Sequence, residues 1–381
     1  MDKIEYREEP QDRISRRNLL IGLATVVGTG MGLASCVQFP MVSSPVPTPT
    51  TPPTPMPTAT PIPSPTPIPP RGTAFYSYQG HAAEVTSLAW SPNGAYLASA
   101  GEDHVQVWDT ATGGKQSLYT LPNPSRAVAW SPNGKQIASL MSDRYNTGTT
   151  AQVWDAPTGG NLATYGSYTK YGLVDVVWSH DGTRIAVAGR TIDIWEVATK
   201  KQLASFGSAF FGLGAISWSP DDQRIVSCDQ DVPGIVKVYD VRSGKLVYAC
   251  YGHSEVVHTV SWSPDGQFLA SGSGDQTARL WSASNGGLVR IYRGHCADVL
   301  SLAWSPDSKQ LASASTDDTV QIWDVATANR LFTYGAASRS CGTIYKLAEA
   351  VAWSPDGMRI ASAEDSSSVF SPATVHVWQA V

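Results

Sequence analysis

One feature limits the fold more than any other: from residue 72 onward the chain repeats itself seven times. A Trp-Ser-Pro-Asx-Gly segment, or a close relative of it, begins at Trp90, Trp130, Trp178, Trp218, Trp262, Trp304 and Trp353, at intervals of 40, 48, 40, 44, 42 and 49 residues. A second aromatic closes an alternating apolar run in each unit: Trp108, Trp154, Trp195, Tyr239, Trp281, Trp323 and Trp378. Those fourteen slots absorb all 13 Trp of the chain, with Tyr239 the one substitution. A period of 40 to 50 residues built from short alternating runs is the signature of blade-like β units that cannot bury a face alone and must stack.

Each unit carries four strand signals. In the fifth they fall at 259–262, 268–271, 278–281 and 288–292, here termed strands a to d. Ser263-Pro264-Asp265-Gly266 between a and b has turn composition. Gly-His, Trp-Ser-Pro-Asp-Gly, Leu-Ala-Ser and Trp-Asp recur in that order over about four-fifths of the chain, residues 72–381. These residues resemble the WD-repeat family. The resemblance implies an all-β fold, a closed seven-bladed β-propeller of four-stranded antiparallel blades. The seventh unit ends at Val381 without a strand d, while residues 74–81 match the strand d and Gly-His of the other units. The N-terminal strand is therefore expected to complete the last blade and pair its bare edge.

The same resemblance implies buried hydrogen-bond tetrads: His81, Ser99, Asp103 and Trp108; His253, Ser271, Asp275 and Trp281; His295, Ser313, Asp317 and Trp323. Read without it, each His-Ser-Asp set suggests a hydrolase triad. Repetition argues against catalysis, because an active site is needed once. Buried polar groups in a sheet need such partners anyway. The units at Trp130, Trp178, Trp218 and Trp353 lack the preceding Gly-His and should depend more on apolar packing. No catalytic residue, cofactor site or metal site is expected. The seven His show no zinc-ligand spacing, and no phosphate-cradling Gly motif is present. Residues 72–381 hold 21 Lys+Arg and 27 Asp+Glu, which disfavours nucleic acid as a partner.

Loop length locates the expected binding face. In an antiparallel blade the a–b and c–d turns share one face, and the b–c and d–a loops share the other. Marker distances are fixed across the a–b turn, at 7 in all units, and vary from 10 to 18 across the b–c loops. Variable loops on a rigid scaffold carry recognition. The candidates for binding a protein or peptide partner are Arg144, Tyr145, Tyr168, Tyr171, Phe210 and Phe211 in one patch, and Arg339, Tyr345 and Phe370 in another. Aromatics and Arg are common interface anchors, although such side chains also fill space under their own loops. A small-ligand or enzymatic use of the central opening is the alternative.

The first 71 residues are read as an address and a tether. Arg16 and Arg17 precede a Gly-diluted apolar run ending at Leu33-Ala34-Ser35-Cys36. The pair resembles a twin-arginine export signal, and the end resembles a bacterial lipobox with Cys36 as the lipidated residue. The alternative is an uncleaved transmembrane anchor. Either reading puts a monomeric propeller outside the cytoplasm, attached to a membrane. Of the 26 Pro, 14 lie between Pro40 and Pro70. Residues 37–71 therefore read as a disordered, extended stalk, reaching roughly 95 Å at about 3.1 Å per residue. Cys228 and Cys250 would lie on strands b and d of one blade, separated by strand c. Cys296 and Cys341 would lie on d–a loops of adjacent blades. Free buried thiols are the expectation, with oxidation of Cys296 and Cys341 in an exported protein as the alternative.

Overall fold

A computed structural model describes residues 69–111, 115–119, 125–142, 149–166, 172–209, 212–335, 346–366 and 373–380. Among these residues, twenty-eight strands form seven four-stranded antiparallel sheets. Six blades run a-b-c-d in chain order: residues 85–119, 128–165, 175–206, 213–250, 257–292 and 299–335. In the seventh, the sheet order is Ala74–Tyr78, Thr374–Gln379, Arg359–Ser366, Lys346–Trp353. The N-terminal strand thus supplies the missing strand d and closes the ring, with Tyr78 opposite Val375 and Ala74 opposite Trp378.

Strand a of each blade packs against strand a of its neighbours, so these strands line the centre. The expected strands of blade 5 are found as Val257–Trp262, Phe268–Ser273, Ala278–Ser282 and Leu288–Tyr292. Three of them run one or two residues beyond the sequence expectation, because the ladder continues past the last alternating apolar position.

The a–b turn is the same device in every blade. In blade 5, Ser263 Oγ donates to Asp265 Oδ1 at 2.6 Å and accepts from the Phe268 N–H at 2.9 Å. The Gly266 N–H closes onto the Ser263 carbonyl at 2.9 Å, with φ of 74° at Gly266. The fifth turn position needs this left-handed backbone, which glycine adopts at no steric cost. Asp222 and Ser308 take it in blades 4 and 6.

The fourteen aromatic slots build the seams between blades. At the inner slot of five blades, the indole N–H donates to a backbone carbonyl of the preceding blade, whereas Trp353 donates to Gly357 in its own turn at 3.0 Å and Trp262 Nε1 has no partner. Trp90 reaches Ala352 at 3.1 Å, Trp130 reaches Ala89 at 3.1 Å, and Trp178 reaches Ala129 at 3.2 Å. Trp218 and Trp304 reach Val177 and Ser261, both at 3.4 Å. At the outer slot, the second aromatic packs on the strand-d aromatic of the preceding blade. Tyr334 stacks on Trp378 at 4.5 Å between ring centroids, Tyr78 on Trp108 at 5.0 Å, and Phe206 meets Tyr239 at 5.6 Å. Such pairs add about 0.5–1.5 kcal/mol each beyond area burial. The repeat is aromatic-rich because every seam needs two rings.

Candidate functional site

The tetrads come first, because their geometry resembles an Asp-His-Ser relay. In blade 6, His295 Nδ1 lies 2.8 Å from Asp317 Oδ2 and Nε2 lies 2.7 Å from Ser313 Oγ. Trp323 Nε1 donates to the same Ser313 Oγ at 2.7 Å. Blade 5 repeats the set. His253 Nδ1 to Asp275 is 2.8 Å, Nε2 to Ser271 is 2.7 Å, and Trp281 to Ser271 is 2.8 Å. Ser271 and Ser313 are fully buried, so no substrate carbonyl can approach the hydroxyl. Burial pushes the Asp275 carboxyl up, but hydrogen bonds from His253 and Thr277 outweigh it and hold the group well below the usual carboxylate range. Burial also lowers the basicity of His253. The arrangement ties strand b, strand c and the d–a loop together within one blade.

Blade 1 forms only part of the set. His81 Nδ1 lies 2.6 Å from Asp103 Oδ1, and Nε2 lies 2.7 Å from Ser99 Oγ. Trp108 Nε1, however, is buried with no hydrogen-bond partner. The expected fourth member is in place but not bonded.

In the remaining blades the network is reduced further. Trp154 still donates to Ser139 at 2.9 Å, and Trp378 to Ser362 at 3.2 Å. In blade 3, Val187 replaces the serine, and Trp195 Nε1 is left without a partner. In blade 4, Tyr239 replaces the tryptophan, and Ser227 Oγ is left without a partner.

The two faces differ as the marker distances predict. Five residues separate strands a and b in every blade, from Trp90 to Tyr96 through Trp353 to Arg359. Five also separate c from d wherever both follow in sequence, as from Ser282 to Leu288. The b–c connections range from three residues, Gly101 to Val105, to seven, Ser366 to Thr374. The d–a connections range from six, Tyr78 to Val85, to ten, Gly335 to Lys346. Residue 72 enters on the constant face, where the Gly72 N–H bonds the carbonyl of Gln379, the last residue of strand c, at 2.8 Å.

The candidate partner-binding residues Arg144, Tyr145, Tyr168, Tyr171, Phe210, Phe211, Arg339, Tyr345 and Phe370 lie outside the described residues, as do Arg16, Arg17 and Cys36. The described part of the variable face carries ion pairs the sequence reading missed. Lys237 Nζ lies 2.6 Å from Asp229 Oδ2, and His258 Nε2 lies 3.5 Å from Asp298 Oδ2. Burial pushes the Asp229 carboxyl up despite Lys237, and its Oδ1 has no hydrogen-bond partner.

The sequence reading also missed Asp175, three residues before Trp178. It sits on the central strand of blade 3 and accepts the N–H of Ile216 in blade 4 at 2.9 Å and that of Val176 at 2.8 Å. Desolvation raises it to about 6. Its counterparts are hydroxyls where they make the same latch: Ser87 accepts from Val128 at 3.3 Å, and Ser301 from Val351 at 3.2 Å. Register was the available signal, since Asp175 is the one acid at that position among the seven units.

At the constant-face end of the centre, a cavity of about 450 Å³ is lined by Trp130, Trp178, Trp218, Trp262 and prolines, with His180 as its one ionisable side chain. That lining offers no convergent acids or bases for chemistry.

One of the cysteine expectations needs revision. Cys228 and Cys250 are free and buried as expected, and burial pushes the Cys250 thiol up to about 12. Cys296 instead is disulfide-bonded, and Cys341 lies outside the described residues. The expectation of a free thiol at Cys296 gives way to the oxidised alternative. The His residues show no zinc spacing along the sequence, yet His81, Asp103 and His104 each bring a ligand atom within 4.8 Å of the others. No helix among the described residues is long and apolar enough to cross a membrane.

Comparison with known proteins agrees with this architecture. The family described as WD domain, G-beta repeat matches residues 72–109, 244–282 and 286–324. These are the segments that carry the three Gly-His units. Nuclear distribution protein PAC1 of Arthroderma otae is 24% identical over 216 residues, covering 56% of this chain and 39% of that protein. WD repeat-containing protein slp1 of Schizosaccharomyces pombe is 29% identical over 134 residues, or 34% and 27% of the two chains. Cell division cycle 20.1, cofactor of APC complex, of Arabidopsis thaliana is 28% identical over 141 residues, or 35% and 30%. Each match spans well under half of the relative's own length.

Proposed function

From the premise of a WD40-repeat chain folded as a seven-bladed propeller, we propose a non-enzymatic scaffold that binds a protein or peptide through its b–c/d–a loop face, outside the cytoplasm and tethered to a membrane. WD40 propellers typically serve as protein-interaction scaffolds. The observation that carries the choice of face is the contrast in connections: five residues everywhere on one face, three to ten on the other. Identical turns are scaffold, and variable loops held by a rigid ring are where recognition sits. One relative bears the name of a cofactor of a protein complex, in keeping with an assembly role.

The placement rests on the lipobox-like end at Cys36, the Arg16-Arg17 pair and the disulfide at Cys296, since such bonds persist in oxidising compartments. With residue 72 on the constant face, the variable face would point away from the membrane.

Photo-crosslinkers on the variable face of intact cells should capture a discrete partner. Crosslinks arising mainly from the five-residue turns would reverse the face assignment. Cys36→Ala should abolish acyl labelling and release the protein from membranes. Unchanged retention would favour residues 16–36 as a permanent anchor.

A further inference from the structure

Blade 1 departs from blades 5 and 6 at one point, and the departures are linked. Asp275 and Asp317 stand six residues before Trp281 and Trp323, whereas Asp103 stands five before Trp108. In blades 5 and 6 a threonine fills the position four before the tryptophan. Thr277 Oγ1 donates to Asp275 Oδ1 at 2.5 Å, and Thr319 Oγ1 to Asp317 Oδ1 at 2.6 Å. In blade 1 that position is His104, whose Nδ1 lies 3.2 Å from Asp103 Oδ2. One carboxylate is thus flanked by two imidazoles, which stack with centroids 5.0 Å apart. The Asp103 side chain is 17% exposed, against 6% for Asp275 and Asp317, so the cluster opens to solvent.

The missing tryptophan bond leaves both lone pairs of Ser99 Oγ for other donors. In blades 5 and 6 the indole N–H takes one of the two lone pairs of the serine oxygen. In blade 1, Trp108 does not donate to Ser99. Ser99 Oγ, 2.7 Å from His81 Nε2, can therefore accept from Nε2–H. That leaves the His81 Nδ1 lone pair facing Asp103. A lone pair beside a carboxylate oxygen is repulsive unless a cation lies between them. An imidazole that donates its far N–H to a fixed acceptor while presenting the other nitrogen is the usual form of a metal-ligating histidine.

We propose that His81, Asp103 and His104 form a binding site for one divalent transition-metal ion, with zinc as the fitting class. Two imidazole nitrogens, borderline donors suited to zinc, together with one carboxylate oxygen form a three-ligand set that zinc takes, and they leave a fourth position for water. Both histidines stay neutral on binding. His81 moves its proton from Nδ1 to Nε2, and the Ser99 hydroxyl turns from donor to acceptor. Blades 5 and 6, with threonine in place of the second imidazole and the indole bond intact, do not qualify.

The test uses the full chain, purified without a polyhistidine tag and stripped with chelator. Titration with Co²⁺ should give d–d absorption saturating at one ion per chain and bleached by Zn²⁺. His104→Thr restores the residue of blades 5 and 6, and His104→Gln is a second replacement. Both should bind at least about tenfold more weakly, keep the parent's circular dichroism, and lose the Zn²⁺-dependent rise in melting temperature. A parent chain that takes up no Co²⁺, or uptake equal in parent and both variants, would overturn the site.

Discussion

Blades 5 and 6 bind their strands together with a complete His-Ser-Asp-Trp relay, and blades 3 and 4 have none. Val187 and Tyr239 break the set, leaving Trp195 Nε1 and Ser227 Oγ without partners. The two regions nonetheless share five-residue turns, four-stranded sheets and a register shift just before the second aromatic in every c–d pair. The relay is therefore not what makes a blade. The seams do that, through the packing of the paired aromatics and, at five of them, an inner indole hydrogen bond. The relay adds local stability where it occurs, and blade 1, with its open carboxylate, lies between the two extremes.

The largest expected effect tests the relay directly. His295→Ala should cost about 3–5 kcal/mol, because it leaves the buried Asp317 carboxylate without its main partner. His81→Ala should cost roughly half as much, since Asp103 keeps His104 and more solvent. Equal losses in chemical denaturation would mean that blade 1 is as tightly built as blade 6.

The next effect reverses sign with pH. Asp103 is held down to about 2, where burial is outweighed by the hydrogen bond from His81. Its contribution is present above the unfolded pKa of about 4 and lost as pH falls toward 2. Asp175 is raised to about 6 by desolvation, so its contribution is present below about pH 4 and lost as pH rises through 6. Asp175→Ser, the residue type of Ser87 and Ser301, should therefore stabilise the ring by up to about 3 kcal/mol at pH 8, with the gain vanishing near pH 4. A gain independent of pH would show that Asp175 is not the titrating group.

The smallest effect separates two seams. Trp178→Phe removes a bonded N–H and should cost about 1 kcal/mol more than Trp262→Phe. Trp262 Nε1 has no partner, because its seam is latched instead by Ser217 Oγ accepting the Trp262 backbone N–H at 3.1 Å. Equal melting shifts would show that the inner indole bonds contribute little.

The sequence made the ring legible because its signals are local. Alternation, turn composition and the paired aromatics each lie within one unit, and they predicted the blade count, the closing strand and the contrast between faces. What the spacing missed depends on how neighbouring blades or loops meet. Asp175 latches onto Ile216 across a seam. Cys296 is held in a disulfide. His104 reaches Asp103 because a turn is one residue short and Trp108 sits clear of Ser99. A one-unit template marks such positions only as departures, and the register comparison at Asp175 shows how those departures can be read.

The closing strand has a mechanical consequence. The chain enters the ring where the Gly72 N–H meets the Gln379 carbonyl and the Gln379 N–H meets the Thr73 carbonyl, at 2.8 and 2.9 Å. Strand Ala74–Tyr78 then runs from the constant face toward the variable one, antiparallel to Thr374–Gln379. A pull arriving through residue 72 and directed away from the constant face lies along that strand. It loads the ladder in shear, so the hydrogen bonds share the force instead of peeling one by one. The strand that closes the ring is also the clasp through which any tension arriving at residue 72 must pass.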